Sequence, residues 1–133
     1  MTLEHVKLIQ LPKILDERGN LSFFESNNQI PFPIRRTYWI YDVPGGEARG
    51  GHAYHSLQEF IVALSGSFDV ILNDGKEEKR FTLNRSYFGL YVPKMIWRHM
   101  ESFSTNSLAL IVADQPYNET DYIRDFEQFK QLH

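Results

Sequence analysis

The sequence contains no cysteine, which excludes disulfides, thiolate metal ligands and cysteine nucleophiles. It also lacks any apolar run close to the roughly 20 residues that a membrane-spanning helix requires. The first residues, MTLEHVKLIQL, do not combine a basic segment with a long apolar one, so no secretory signal is visible. These absences lead us to expect a cytoplasmic protein without membrane association.

An excess of positive charge is missing as well. The 14 Lys and Arg residues are outnumbered by 17 Asp and Glu residues, which gives a formal net charge of −3. Proteins that bind nucleic acid usually present a basic surface, so we expect no nucleic-acid partner. A small anionic ligand is compatible with this balance, because a few local arginines can hold one.

The sequence pattern predicts short strands over most of the chain. No linker or repeat divides it, so residues 1–133 are predicted to form a single domain. Apolar and aromatic runs alternate with turn signals such as DERG, PGG, SG and NDG. Strands are predicted at 6–11, 20–25, 36–43, 59–64, 67–72, 79–83, 87–93 and 107–113. This pattern predicts an all-β fold, a small antiparallel β-barrel or jelly roll.

The C-terminal stretch ETDYIRDFEQFKQL has a different pattern. Its apolar residues recur mainly every third position, which predicts a short amphipathic α-helix. They are Tyr122, Ile123, Phe126, Phe129 and Leu132. We expect this helix to pack against the β-structure or a partner subunit.

The stretch RGGHAYHSLQEF contains residues that are typical of a metal site. With Gly46 before it and Gly66 after it, the spacing of His52, Tyr54 and Glu59 resembles the first signature of the cupin superfamily. The segment GLYVP, residues 89–93, resembles part of the second signature, in which metal-binding members carry a histidine where this chain has Arg98.

Only His52 and Glu59 of these positions offer good metal ligands. Tyr54 is a neutral phenol near pH 7, and the guanidinium of Arg98 repels a cation. His55 and His99 are each one residue out of phase and would face away in a regular strand. We therefore expect no metal and no cofactor, and a metal-dependent cupin oxygenase is the least favoured reading.

Without a metal, the same pocket is suited to proton transfer beside a carbonyl. Residues two apart on a strand share a face, so His52 and Tyr54 can point together. A histidine can accept a proton at neutral pH and return it elsewhere. Tyrosine hydroxyls can donate to a developing enolate oxygen, and arginines can hold a phosphate.

Segments along nearly the whole chain resemble the FdtA/QdtA-type sugar 3,4-ketoisomerases, also described as WxcM-like cupins. The most specific are RGGHA, LSGSFDV and DYIRD, and the others are DERGNL, IPFPIRRTYWIYD and LYVPKMIWR. The resemblance implies isomerisation of dTDP-4-keto-6-deoxyglucose to the 3-keto sugar without a metal. It also implies a homodimer with exchanged β-strands, and a role in dTDP-3-amino-sugar synthesis for surface glycans.

The resemblance also implies roles for particular residues. His52 matches the catalytic histidine, the base that moves a proton from C3 to C4 through an enediol, and Tyr38 matches a tyrosine of the same site. The second histidine of the family motif is Tyr54 here. Arg18 and Arg98 match positions that border the sugar.

Four further roles rest on chemistry rather than on matched positions. Arg36 and Arg49 are candidates for the nucleotide diphosphate. Glu59 is expected to hold His52 or an arginine in place, and Trp97 is a candidate for packing against sugar or thymine. Two other functions stay open: a non-catalytic sugar-nucleotide-binding module, and a dTDP-sugar 3,5-epimerase-like enzyme.

Overall fold

Strands make up most of the regular structure in the computed structural model, which describes residues 1–133. Twelve strands precede one short α-helix. The strands are β1 (Lys7–Gln10), β2 (Lys13–Ile14), β3 (Leu21–Ser22), β4 (Arg36–Tyr41), β5 (Arg49–Tyr54), β6 (Glu59–Ser65), β7 (Phe68–Asn73), β8 (Glu78–Leu83), β9 (Phe88–Val92), β10 (Trp97–Glu101), β11 (Leu108–Ala113) and β12 (Tyr122–Ile123). The helix is α1 (Phe126–Gln131).

Ten strands form two five-stranded antiparallel sheets. The first sheet has the order β1-β9-β6-β11-β4, and the second has the order β12-β5-β10-β7-β8. Strands β2 and β3 pair separately as a small hairpin. Neighbouring strands in each sheet are mostly distant in sequence, so the chain crosses repeatedly between the two layers.

The main hydrophobic core draws on both sheets. Ile61, Leu90 and Ile111 come from the first sheet, and Val70 and Met100 come from the second. A second cluster includes Phe60 and Val62, which alternate with Ile61 along β6. Strand β6 is therefore covered on both faces, which explains its continuous apolar sequence.

The all-β prediction with a short C-terminal helix is confirmed, and each predicted strand has a counterpart. The arrangement is a two-sheet sandwich of the jelly-roll kind, and the sheets do not close into a barrel. Strands β2, β5, β10 and β12 were not among the predicted strands. Two of these carry predicted site residues: β5 carries His52 and Tyr54, and β10 carries Arg98.

The C-terminal prediction is wrong in its extent. Tyr122 and Ile123 belong to β12 and pair with Tyr54 and Ala53 of β5, so they are not helical. The helix begins only after Asp125, whose carboxylate accepts a hydrogen bond from the backbone N–H of Glu127. With six residues it is the only α-helix, and no helix is long and apolar enough to cross a bilayer.

Candidate active site

His52 and Tyr54 point to the same side of β5. Nε2 of His52 lies 2.9 Å from the Tyr54 hydroxyl, and both residues are buried. Nδ1 of His52 makes no hydrogen bond with the protein. The prediction that the two side chains share a face is thus confirmed, and one ring nitrogen is left for a ligand.

A β-bulge at Gly50 separates Arg49 from His52. Arg98 of β10 pairs with His52, whereas Met100, two residues on, pairs with Arg49, so β5 carries one extra residue. Gly50 has φ +74°, and a Cβ added there would lie 2.3 Å from Nη1 of Arg98. The carbonyl of Gly50 accepts a hydrogen bond from the same nitrogen at 3.3 Å. Glycine at this position therefore allows the Arg98 side chain to lie against the backbone of β5.

Arg98 and Glu59 form a buried ion pair beneath the pocket. Nε of Arg98 donates to Oε1 of Glu59 at 2.6 Å, and Nη2 donates to Oε2 at 3.2 Å. Nη2 also donates to the Tyr38 hydroxyl at 2.9 Å, and that hydroxyl in turn donates to Oε2 at 3.1 Å. The charge of Arg98 is therefore matched by a carboxylate within the protein.

A cavity of about 400 Å³ opens beside His52. Its lining contains four arginines and no carboxylate. Arg36 and Arg49 have no carboxylate within salt-bridge distance, in contrast to Arg98 and Arg124. The lining consists of Arg36, Tyr38, Trp39, Ile40, Tyr41, Arg49, Gly50, Gly51, His52, Arg98, Tyr122 and Arg124. Such a cavity suits a ligand with a multiply charged anionic group.

The surroundings keep the imidazole and the phenols neutral. Burial, followed by the positive charges of Arg98, Arg124 and Arg36, lowers the pKa of His52 to about 2. Burial and the nearby Glu59 carboxylate raise the pKa of Tyr38 to about 12, and the same causes raise that of Tyr54. At neutral pH the site therefore combines a neutral imidazole, which carries a proton on only one ring nitrogen, with protonated phenols.

The structure brings seven of the nine predicted site residues together. Five of them line the cavity: Arg36, Tyr38, Arg49, His52 and Arg98. Tyr54 contacts His52, and Glu59 contacts Tyr38 and Arg98. The set therefore spans both sheets, with members on β4, β5, β6 and β10.

The other two residues lie elsewhere in this chain. Arg18 is exposed in the turn between β2 and β3 and pairs with Asp16 at 2.7 Å. Trp97 precedes Arg98 on β10 and so faces the opposite side, where its ring packs against Phe126 and Phe129 of α1. Trp97 is therefore part of the packing of the C-terminal helix.

Among the cavity residues that sequence reasoning missed, Tyr122 and Arg124 come from the C-terminal segment. Both lie in the DYIRD segment, which was assigned to a helix. The Tyr122 ring lies 5.0 Å from the His52 ring, and the guanidinium of Arg124 lies 4.1 Å from the centre of the Tyr122 ring. The specificity of that motif for the family was the available signal.

The donors for a metal ion are sparse. No three His, Asp or Glu side chains come close enough to hold one together. His52 is the only imidazole of the cavity, and both oxygens of Glu59 are already bound by Arg98 and Tyr38. The residues around His52 thus match hydrogen bonding and proton transfer better than metal coordination.

Comparison with known proteins supports one assignment. A family described as FdtA, WxcM-like, C-terminal, matches residues 4–133. The TDP-4-oxo-6-deoxy-alpha-D-glucose-3,4-oxoisomerase of Aneurinibacillus thermoaerophilus is 44% identical over 124 residues, which cover 93% of this chain and 89% of the relative.

Two solved structures have the same fold at substantial identity. One is a variant of the 3,4-ketoisomerase QdtA from Thermoanaerobacterium thermosaccharolyticum in complex with TDP-4-keto-6-deoxyglucose (TM-score 0.96, 34% identity, 98% of this chain and 95% of that one). The other is the TDP-quinovose 3,4-ketoisomerase WlaRB from Campylobacter jejuni (TM-score 0.92, 39% identity, 96% and 98%).

Proposed function

The chain belongs to the FdtA, WxcM-like family of sugar-nucleotide 3,4-ketoisomerases, and we propose that it converts dTDP-4-keto-6-deoxyglucose into the 3-keto isomer with His52 as the base. The observation that carries the assignment of His52 is its place in the cavity. It is the one imidazole there, it is unprotonated at neutral pH, and its Nδ1 has no partner in the protein.

The reaction is an internal redox exchange that needs no external oxidant. The base removes the proton from C3, and the C3–H electron pair forms the C3=C4 double bond while the C4 carbonyl oxygen takes up the charge. A proton passes from the C3 hydroxyl to the C4 oxygen, so the negative charge of the enediolate moves to the C3 oxygen. The base then returns a proton to C4 while the C3–O bond becomes the carbonyl, so C3 is oxidised to the ketone and C4 is reduced to the alcohol.

Tyr54 and His52 act together in this proposal. If the Tyr54 hydroxyl accepts from Nε2–H, the lone pair of Nδ1 is free to remove the C3 proton. Because burial and Glu59 raise the pKa of Tyr54, its phenol stays protonated throughout and leaves the proton transfer to His52. Tyr38, held between Arg98 and Glu59, supplies a fixed hydroxyl at the edge of the cavity.

Arg36 and Arg49 are the cations proposed to hold the diphosphate of the substrate. Both line the cavity, and no carboxylate neutralises either side chain. Each can donate two hydrogen bonds to phosphate oxygens from its planar guanidinium group. Trp97 is not proposed as a ligand contact, because α1 covers its ring.

A homodimer is proposed as well, as the family resemblance implies. The outer face of the first sheet exposes Trp39 (58%), Tyr41 (61%) and Leu64 (44%), which a second subunit would cover. The hairpin that carries Arg18 also exposes Leu15 and Leu21. Contact between Arg18 and the sugar would therefore require this hairpin to reach the cavity of the partner subunit.

The direct test is turnover of dTDP-4-keto-6-deoxyglucose in deuterated water, followed by NMR. We expect a 3-keto product with deuterium at C4. We also expect His52→Asn to abolish both the product and the label, while His55→Asn, the same change at an exposed histidine, retains them. Turnover by His52→Asn at the parent rate would show that another group is the base.

Two other outcomes would point to the alternative functions. Label at C3 and C5 without movement of the ketone would indicate a 3,5-epimerase. Tight binding of dTDP with no solvent exchange at C3 or C4 would indicate a non-catalytic binding module.

A further inference from the structure

The C-terminal segment forms a wall of the active site through Tyr122 and Arg124. The rings of His52, Tyr54 and Tyr122 pack against one another, with centroid separations of 4.8, 5.0 and 4.7 Å. Tyr54 and Tyr122 thus both contact the imidazole and also contact each other. A histidine on an open strand would have several rotamers, and these contacts restrict the rotamers that His52 can adopt.

Tyr122 is itself held by the strand that carries it. Tyr122 of β12 pairs with Tyr54 of β5, and Ile123 pairs with Ala53. Ile123 and Ala53 are buried with Phe129, so the pairing is tied to the packing of α1. The side chain of Tyr122 also accepts a hydrogen bond from Nη1 of Arg36 at 3.4 Å.

The buried carboxylate of Asp121 secures the start of β12. Its Oδ1 accepts from the backbone N–H and the hydroxyl of Ser56 at 3.0 and 2.8 Å, and its Oδ2 accepts from the N–H of Leu57 at 3.1 Å. Its own carbonyl accepts from the N–H of His55 at 2.9 Å. Four hydrogen bonds therefore join this one residue to the loop that directly follows β5.

We propose that Asp121 and Tyr122 are positioning residues for His52: the carboxylate pins β12 to the loop after β5, and the Tyr122 ring fixes the catalytic imidazole. This inference rests on the proposed role of His52 as the base. It assigns the C-terminal segment a part in the reaction, although that segment is more than 60 residues away from His52 in sequence.

The test compares Asp121→Asn with Asp125→Asn, the same change four residues on at the exposed cap of α1. An asparagine at 121 can satisfy the Ser56 donors, but its NH₂ group would face the N–H of Leu57. We expect Asp121→Asn to lower kcat by about tenfold or more with KM changed by less than about threefold, because misplacement of a catalytic group lowers the rate steeply. Asp125→Asn should match the parent.

A second pair of variants covers the case in which Asp121→Asn does not fold. Tyr122→Leu should lower kcat similarly, and Tyr122→Phe, which keeps the ring, should restore kcat while KM rises because Arg36 loses its partner. A fall in activity through KM alone, or equal losses of kcat in both Tyr122 variants, would overturn the proposal.

The NMR signals of the His52 imidazole provide a readout that does not depend on turnover. They should shift or broaden in Asp121→Asn and Tyr122→Leu and should be unchanged in Asp125→Asn. Unchanged His52 signals in both site variants would overturn the positioning role. An inactive parent enzyme would refute the proposed function, whereas this comparison would still report on the packing of the ring.

Discussion

Arg98 and Glu59 pair across the sandwich, since Arg98 lies on β10 of the second sheet and Glu59 lies on β6 of the first. Both side chains are only 1% exposed. Burial disfavours the charged guanidinium, and the Glu59 carboxylate with the two nearby phenols more than offsets this effect, so the pKa of Arg98 is raised. The pair joins the two layers directly beneath His52.

Removal of one charge from this pair should destabilise the protein strongly. Glu59→Gln leaves the buried guanidinium of Arg98 without a counter-charge, and we expect the free energy of unfolding to fall by about 3–5 kcal/mol. Urea denaturation measures this change. Glu101→Gln, at a partly exposed pair with Arg80, is the matched control and should cost less than about 1 kcal/mol. Equal losses in the two variants would contradict the structural role of the buried pair.

Gly50 should tolerate no side chain, because Arg98 occupies the space beside it. Both Gly50 and Gly46 have positive φ, +74° and +85°, but only Gly50 has a neighbour within 4 Å of an added Cβ. Gly46→Ala should therefore cost only the backbone strain of about 1–2 kcal/mol. Gly50→Ala should cost about 1–3 kcal/mol more, since Arg98 is held by Glu59 and Tyr38 and cannot move aside. Urea denaturation of the two variants would disprove the clash if their stabilities were alike.

Stability should decrease in mild acid because of His52. The unfolded imidazole takes up a proton below pH ~6.5, whereas in the folded protein the pKa of His52 is lowered to about 2, so the folded form stays unprotonated. The unfolded state therefore binds more protons as the pH falls, and the parent should lose about 2 kcal/mol from this residue between pH 7 and pH 5. Urea denaturation at both pH values should show a smaller loss in His52→Asn. Identical losses would mean that His52 is protonated in the folded state.

The sequence predicted all five strands of the first sheet but only β7 and β8 of the second. Runs such as 59–64 and 67–72 are long, apolar and separated by a Ser-Gly turn, so local pattern and tertiary packing agree. Strand β12 has two residues, and its apolar positions also fit a helical repeat. Pairing with β5 and the buried carboxylate of Asp121 override that repeat, and neither can be read from local periodicity.

The candidate site was predictable where residues share a strand face. His52 and Tyr54 are two apart and lie together, whereas Trp97 and Arg98 are adjacent and face opposite sides. Both Trp97 and Arg98 were proposed as substrate contacts, although strand alternation allows only one of them to face the cavity. Glu59 was expected to hold His52 or an arginine, and the structure shows that it holds Arg98. Which of these partners it holds could not be inferred, because that depends on the packing of two separate sheets.

Arg36 and Arg49 should contribute to binding of the nucleotide through the diphosphate. Arg36→Met and Arg49→Met retain an unbranched apolar side chain without the guanidinium group and its charge. Each should weaken the binding of TDP by about tenfold or more, through the loss of a charge-assisted hydrogen bond. Isothermal titration calorimetry measures the dissociation constants. Arg85→Met, at an exposed arginine outside the cavity, should bind like the parent. Parent-like affinity in both cavity variants would exclude these arginines as the diphosphate ligands.

Tyr54 stands where the resemblance to the family implies a second histidine, and its hydroxyl lies at hydrogen-bond distance from Nε2 of His52. Tyr54→Phe keeps the packed ring and removes only that bond, so we expect kcat to fall about tenfold, the equivalent of about 1.4 kcal/mol. Tyr91→Phe, which removes a hydrogen-bonded hydroxyl outside the cavity, is the control and should leave kcat unchanged.

Tyr54→His distinguishes two roles for the side chain at position 54, which can orient His52 or can exchange protons with the substrate itself. If that side chain only orients His52, a histidine serves equally well, and Tyr54→His should retain a kcat above that of Tyr54→Phe. A kcat well above the parent in Tyr54→His would instead mean that the second group exchanges protons itself, because a phenol with a raised pKa cannot do so near neutral pH. Parent-like turnover by Tyr54→Phe would show that ring packing alone orients His52.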